Sequence, residues 1–201
     1  MSAPAEWRRL LAVLSFAPIA AAPLGAEQLA FRFDPQQTQI EFTLGATFHT
    51  VHGTFELKSG YTSFDPATGK AAGQIIVDAA SGNSGNDSRD ADMHGKVLES
   101  SRFPEMVFLP DRIEGQIPAQ GDFRLKAHGI FRLHGADHET SFDVQAHRTA
   151  EGIALTLQFP VPYAHWGLKN PSKLLLRVSD HVQVTIRSFA RASPVPLVPS
   201  H

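Results

Sequence analysis

Apolar residues fall on alternate positions through most of this chain. Ile40, Phe42 and Leu44 share one side of a short run, with Glu41 and Thr43 on the other. Val51, Gly53, Phe55 and Leu57 repeat the pattern, as do Ile75, Val77 and Ala79. The longest run, Asp122 to His134, sets Phe123, Leu125, Ala127, Gly129, Phe131 and Leu133 against Arg124, Lys126, His128, Ile130 and Arg132. Phe142, Val144 and Ala146 follow, then Ile153, Leu155, Leu157 and Phe159, and last Val182, Val184 and Ile186. A period of two with one apolar and one polar side is the mark of antiparallel strands that bury one face. Turn formers separate the runs at Asp65-Pro66-Ala67-Thr68-Gly69, Gly135-Ala136-Asp137 and Glu151-Gly152. Many one-faced strands joined by tight turns predict an all-β sandwich or barrel. Closure removes the unpaired edges of an open sheet, which favours an antiparallel barrel of about eight or more strands.

Only Asn86 to Phe108 reads as a helix, a short one set near one end of the barrel. Asn86, Asp87 or Ser88 supplies an N-cap. Asp87, Asp90 and Asp92 suit the positive end of the helix dipole, and Lys96 and Arg102 the other end. Met93, Val97 and Leu98 give an apolar side, Gly95 weakens the middle, and Pro104 predicts the stop. Residues 1–26 have the form of an export signal: Arg8 and Arg9, an apolar stretch from Leu10 to Ala22, and small residues up to Ala26. The barrel domain then covers residues 27–192, and the Pro-rich tail 193–201 is expected to be extended and disordered.

Composition narrows the function. The chain has 201 residues and no cysteine, so disulfides, thiol nucleophiles and thiolate metal sites are excluded and the core alone must stabilise the fold. Lys and Arg number 18 against 20 Asp and Glu, without clustering, which argues against a nucleic-acid partner. Gly82-Asn83-Ser84-Gly85 lacks the context of a hydrolase elbow, and the aspartates near Asp87 lack the spacing of a calcium loop.

Four segments together resemble the YceI-like family of exported bacterial proteins: Asp34 to Phe42, Ser84 to Phe108, Phe131 to Gly135, and Asp180 to Ile186. The most specific is the Asn86-x-x-Arg89-Asp90 block followed by a helix and Arg102-Phe103-Pro104-x-x-x-Phe108. The resemblance spans about Phe33 to Phe189 and implies a lipocalin-like barrel around a long apolar tunnel. It also implies polyisoprenoid or other long-chain amphiphile binding in the periplasm, without a shared catalytic mechanism. The chain departs from the family pattern at Gln37-Thr38, at His49 and His52, and across Pro162 to Pro171, positions expected at a tunnel mouth.

Inward-facing candidates for a ligand-binding lumen are Phe42, Leu44, Phe55, Ile75, Val77, Phe123, Leu125, Phe131, Leu133, Phe142, Val144, Leu155 and Leu157. Met93 and Val97 on the helix, with Tyr163 and Trp166, are candidates for the mouth, where amphipathic rings suit a boundary. The same inward residues would fill a solid core if the barrel were narrow. Arg89 and Lys169 are the cations nearest the expected mouth, although Arg89 fits a structural pairing with Asp87 or Asp90 better. The chain has 10 histidines, and His49, His52, His94 and His165 would form a metal site if their loops met at one end. The expectation is therefore a non-enzymatic periplasmic carrier for a long-chain lipid, isoprenoid or quinone, without a cofactor. Peripheral membrane contact and a homodimer are compatible with it. A histidine-metal enzyme or sensor and a solid-cored envelope interaction protein are the alternatives.

Overall fold

The computed structural model describes residues 28–172 and 177–193. The expected export signal and nearly all of the tail lie outside the described residues. Nine strands form from the alternating runs. They are β1 (Leu29–Phe33), β2 (Gln39–Gly45), β3 (Thr50–Phe64), β4 (Ala71–Asn83), β5 (Glu105–Glu114), β6 (Gly121–Leu133), β7 (Ala136–Arg148), β8 (Ile153–Val161) and β9 (Val182–Ala192). All pairings are antiparallel, and β2-β9-β8-β7-β6-β5-β4-β3 closes on itself through the β2–β3 pair. The fold is an all-β, eight-stranded closed barrel with one further strand.

That further strand, β1, joins the same two neighbours as β2. Leu29 to Phe33 pair with Phe64 to Gly60 of β3, and Phe31 to Phe33 with Ala192 to Ala190 of β9. Lower numbers on β3 face β2 instead, from Thr50 opposite Gly45 to Phe55 opposite Ile40. β1 and β2 therefore lie end to end in one slot of the wall, broken by a single 3-10 turn at Pro35–Gln37. Asp34 caps that turn, accepting from the Gln36 N–H at 3.0 Å, and Arg191 holds the carboxylate from β9 at 2.7 Å. Pro35 at the first position of the turn lacks the N–H that a continuous strand would need.

The hairpin from β6 to β7 turns at His134 and Gly135, both at positive φ (53° and 77°). Two successive left-handed residues are what a two-residue hairpin matched to strand twist requires, and glycine takes the second without strain. The turn is thus one residue earlier than the expected Gly135 to Asp137, because Ala136 and Asp137 already pair with Leu133 and Arg132.

The helical segment is shorter than expected. It runs as α1 (Asp87–Asp92) continued by one π-helical turn, Met93–Val97. Asn86 is the cap, its side chain accepting from the Arg89 N–H at 3.0 Å. Pro104 is not the stop: Glu99 takes a left-handed φ of 45°, and Phe103 N–H closes back on its carbonyl at 2.9 Å. From Glu105 the chain is already β5, a strand whose alternation is interrupted by Pro110 and by a register shift between Pro110 and Arg112.

Helix and long loops gather at one end of the barrel, with the β2–β3 hairpin beside them. This end is called the upper end here. Leu133, Val161, Tyr163 and Leu168 form a buried cluster there, with Val97 and Leu98 packed against it. At the lower end Phe31, Phe64, Ile113, Ala146, Ile153 and Ala190 form a second cluster.

Candidate ligand-binding lumen

Between the two clusters the barrel is hollow. A cavity of about 560 Å³ runs through it, so the solid-core alternative does not hold. Phe42, Leu44, Phe55, Ile75, Val77, Phe123, Leu125, Phe131, Leu133, Phe142, Val144, Leu155 and Leu157 all line it. The cause is the period of two: inward residues on neighbouring strands meet in register, for example Val144 opposite both Leu125 and Leu157. Edge-to-face and tilted ring pairs stiffen the wall, with Phe108 and Phe159 on either side of Phe142 at 5.0 and 4.2 Å.

Sequence reasoning missed Met106, Phe108, Pro110 and Ile113 of β5, which also line the cavity. Their period is broken by the register shift after Pro110, so Ile113 faces inward three positions after Pro110 rather than two. Phe31 and Phe33 of β1 were missed because that strand has only 5 residues, too few to show a period.

At the lower end the polar side chains that line the cavity are spent on one another or on backbone carbonyls. Thr38 donates to the Asp34 carbonyl at 2.7 Å, and Ser188 lies 2.6 Å from the same hydroxyl. Thr62 donates to the Ala72 carbonyl at 3.3 Å. Gln37-Thr38, expected at a mouth, is therefore in the barrel wall: Gln37 is in the 3-10 turn, and Thr38 lines the cavity well away from the helix.

The upper end is different. Met93 and Val97 line the cavity as expected, together with Ser84, Asn86, Ser88, Arg89, Asp92 and His49. Gly82 lets the helix seat on the wall, since a Cβ there would lie 2.6 Å from Phe55 Cε1 and 2.8 Å from Met93 Cε. Arg89 donates from Nε to Ser84 Oγ and from Nη2 to the Ser84 carbonyl, both at 2.8 Å. Ser84 in turn donates its N–H (2.9 Å) and its hydroxyl to Asp90. Burial pushes the Asp90 carboxyl up, but the Ser84 hydrogen bonds and the charges of Arg89 and His94 outweigh it and hold the group below the usual range. Arg89 thus has the structural role expected, reaching Asp90 through Ser84 rather than directly.

Tyr163 lines the cavity with its ring, while its hydroxyl donates to the Ser179 carbonyl at 2.6 Å. Burial pushes that phenol up to about 12. Trp166 corrects the expected mouth: it does not line the cavity. Its ring stacks on His138 at 4.1 Å and meets the edge of Phe131 at 5.8 Å, packing the Pro162 to Ser172 loop onto the wall. Lys169 is exposed and is likewise absent from the lining.

The four histidines do not come together. His52 bonds Thr43 at 3.1 Å, and His94 bonds the Gly82 carbonyl at 2.8 Å and Ser100 at 3.2 Å. His165 and His181 share Asp180 at 3.3 and 2.9 Å, and His49 stands at the mouth. Among the described residues no group of three or more His, Asp or Glu side chains is placed to hold a metal ion.

A closed antiparallel barrel with an apolar lumen and a polar rim under a short helix defines a lipocalin-like fold. The family follows from the sequence: a YceI-like domain model matches residues 31–190, and the chain belongs to that family. Three solved structures share the fold. BcnA of Burkholderia cenocepacia aligns at TM-score 0.64 and 18% identity, covering 78% of this chain and 98% of its own. A polyisoprenoid-binding domain from Saccharophagus degradans, implicated in plant cell wall breakdown, aligns at 0.61 and 17%, covering 82% and 99%. The YceI protein of Campylobacter jejuni aligns at 0.51 and 15%, covering 94% and 100%. No curated protein sequence matches the chain.

Proposed function

We propose that this protein holds and carries a long-chain amphiphile, a polyisoprenoid or a quinone, in its lumen, and does so in the periplasm after export. The cavity of about 560 Å³, walled by aliphatic and aromatic side chains, carries the reading. Each methylene moved from water into such a wall contributes about 0.8 kcal/mol, so a chain binds without directional contacts. The polyisoprenoid-binding neighbour and the leader-like start of the sequence support it. Phe48 at the tip of the β2–β3 hairpin is 79% exposed beside the mouth residue His49, and offers a foothold on a lipid surface during loading. Organic extraction and mass spectrometry of protein purified from an exporting host test the reading. A stoichiometric amphiphile supports it. An empty extract together with no uptake of a fluorescent fatty alcohol defeats it.

A further inference from the structure

The barrel wall is not zipped along its full height. β7 pairs with β6 from Arg148 up to Ala136, and β8 pairs with β9 from Ile153 up to Val161. The ladder between β7 and β8 stops part-way, at Val144 opposite Leu157. Above it, Ala136 to Asp143 of β7 and Gln158 to Val161 of β8 share no hydrogen bond among the described residues. Pro160 supplies a reason, since it brings no N–H to a ladder and prolines in strands keep to edges. The β4–β5 ladder is short as well, but a bridge between Lys70 and Arg112 and a bond from the Ile113 N–H to the Gly69 carbonyl close it again.

We propose that the ligand's chain enters and leaves the lumen sideways, through this seam between β7 and β8, with Trp166 on His138 as the latch. The inference rests on the carrier reading above and adds its loading route.

Side chains alone fill the seam. Phe142 and Phe159, which would face each other if the ladder continued, meet at 4.2 Å and both line the lumen. Beyond them the Trp166 ring lies flat on His138, at 4.1 Å and 6°. Nε2 of His138 is buried without a hydrogen-bond partner, so nothing at that atom secures the ring. The loop that carries Trp166 is tethered elsewhere. The Ala164 N–H donates to the Asp180 carbonyl at 3.2 Å, and the Tyr163 hydroxyl to the Ser179 carbonyl at 2.6 Å. Among the described residues no hydrogen bond ties this loop to β7. Trp166 can therefore leave His138 while the loop stays anchored on the β9 side.

The foot of the seam is thin. Leu157 lines the lumen and also an outer pocket that it forms with Asp143, Gln145, Thr156 and Gln158 among others. Parting the seam gives up ring contacts, whereas parting a zipped ladder would strand backbone N–H and C=O groups. A long chain that swings in through a slit need not be threaded end-first past the helix.

The chain has no cysteine, so a single disulfide can stitch the seam. Asp143→Cys with Gln158→Cys bridges the first unpaired position, and Gln145→Cys with Thr156→Cys bridges the neighbouring zipped pair as a control. Uptake and release of a fluorescent fatty alcohol are followed by stopped flow before and after reduction. The oxidised seam pair should exchange the probe about tenfold or more slowly and recover on reduction, with the control unchanged. Trp166→Ala should speed uptake and release alike by about two- to tenfold, the factor that one aromatic stack supplies, at unchanged affinity. A seam pair that exchanges as fast oxidised as reduced overturns the inference and leaves the lumen reading standing. So do rates untouched by Trp166→Ala where the disulfide does not form. No uptake by the natural protein overturns the lumen reading and the inference with it.

Discussion

The length of the bound chain is set by the size of the cavity, and a homologous series of primary alcohols reads it out. At about 30 Å³ for a group the size of a water molecule, 560 Å³ takes roughly 19 methylene-sized groups. Up to that length each carbon should add about 0.8 kcal/mol, or roughly fourfold in affinity. Beyond it, further carbons protrude past Asn86 and Ser88 into water and should add little. Displacement of a fluorescent fatty alcohol, with each competitor kept below its aggregation concentration, measures the series. The expected curve is a steep climb that breaks near 18 to 20 carbons, about four isoprene units. A slope below about 1.5-fold per carbon would mean that the alcohols bind outside the lumen. A climb that continues well past the break would mean that the chain is not confined by the cavity and leaves it past Phe31, Phe64 and Ile153.

Other perturbations separate the wall from its packing. Gly129→Ala should destabilise the fold by about 1–3 kcal/mol in chemical denaturation, because its Cβ would lie 2.2 Å from the Leu109 carbonyl oxygen, a backbone atom that cannot swing aside. Trp166→Ala should cost about 1–2 kcal/mol, less than a fully buried tryptophan because Trp166 is half-buried, and should leave alcohol affinity unchanged since the ring does not line the cavity. Burial pushes the His138 ring below its usual 6.5, only partly offset by the Asp137 charge. Its folded pKa is the lower one, so its neutral form stabilises the fold above pH 6.5 and that contribution is lost as pH falls through the depressed value. Melting temperatures of His138→Phe against the natural protein should therefore converge towards neutral pH and diverge in the variant's favour below 6.5. His128 runs the other way. Its hydrogen bond to Asp111, opposed by burial, raises its pKa, so its contribution is present below 6.5 and fades as pH rises through the raised value. His128→Gln should lose most stability on the acid side.

The barrel was readable because alternation is a direct imprint of a one-faced strand, and Phe123 to Leu133 carries it without a break. It was unreadable where geometry breaks the period. Pro110 and the register shift after it hid β5 inside what looked like the end of a helix. The 3-10 turn at Pro35 split one wall slot into two short strands, of which only β2 keeps a visible pattern. The large apolar side chains named as lumen candidates, from Phe42 to Leu157, all line the cavity, because strand register converts sequence parity into facing side chains. The mouth was harder. Trp166 has the composition of a rim residue, but its orientation depends on His138, far away in sequence, and no local pattern encodes that stacking. Ser84, Asn86 and Ser88 were hidden for a related reason: as caps and first-turn residues they are explained by the helix alone, and only closure of the barrel turns them towards the cavity.

A carrier of this shape should hold a single long chain inside the barrel, with its tail against the lower cluster. A crystal of the protein grown with a fatty alcohol brominated at its terminal carbon tests this directly through anomalous scattering. One peak is expected deep in the barrel, among Phe31, Ile153 and Ala190. A peak at the helix end, on the outer wall, or nowhere in the molecule would contradict it.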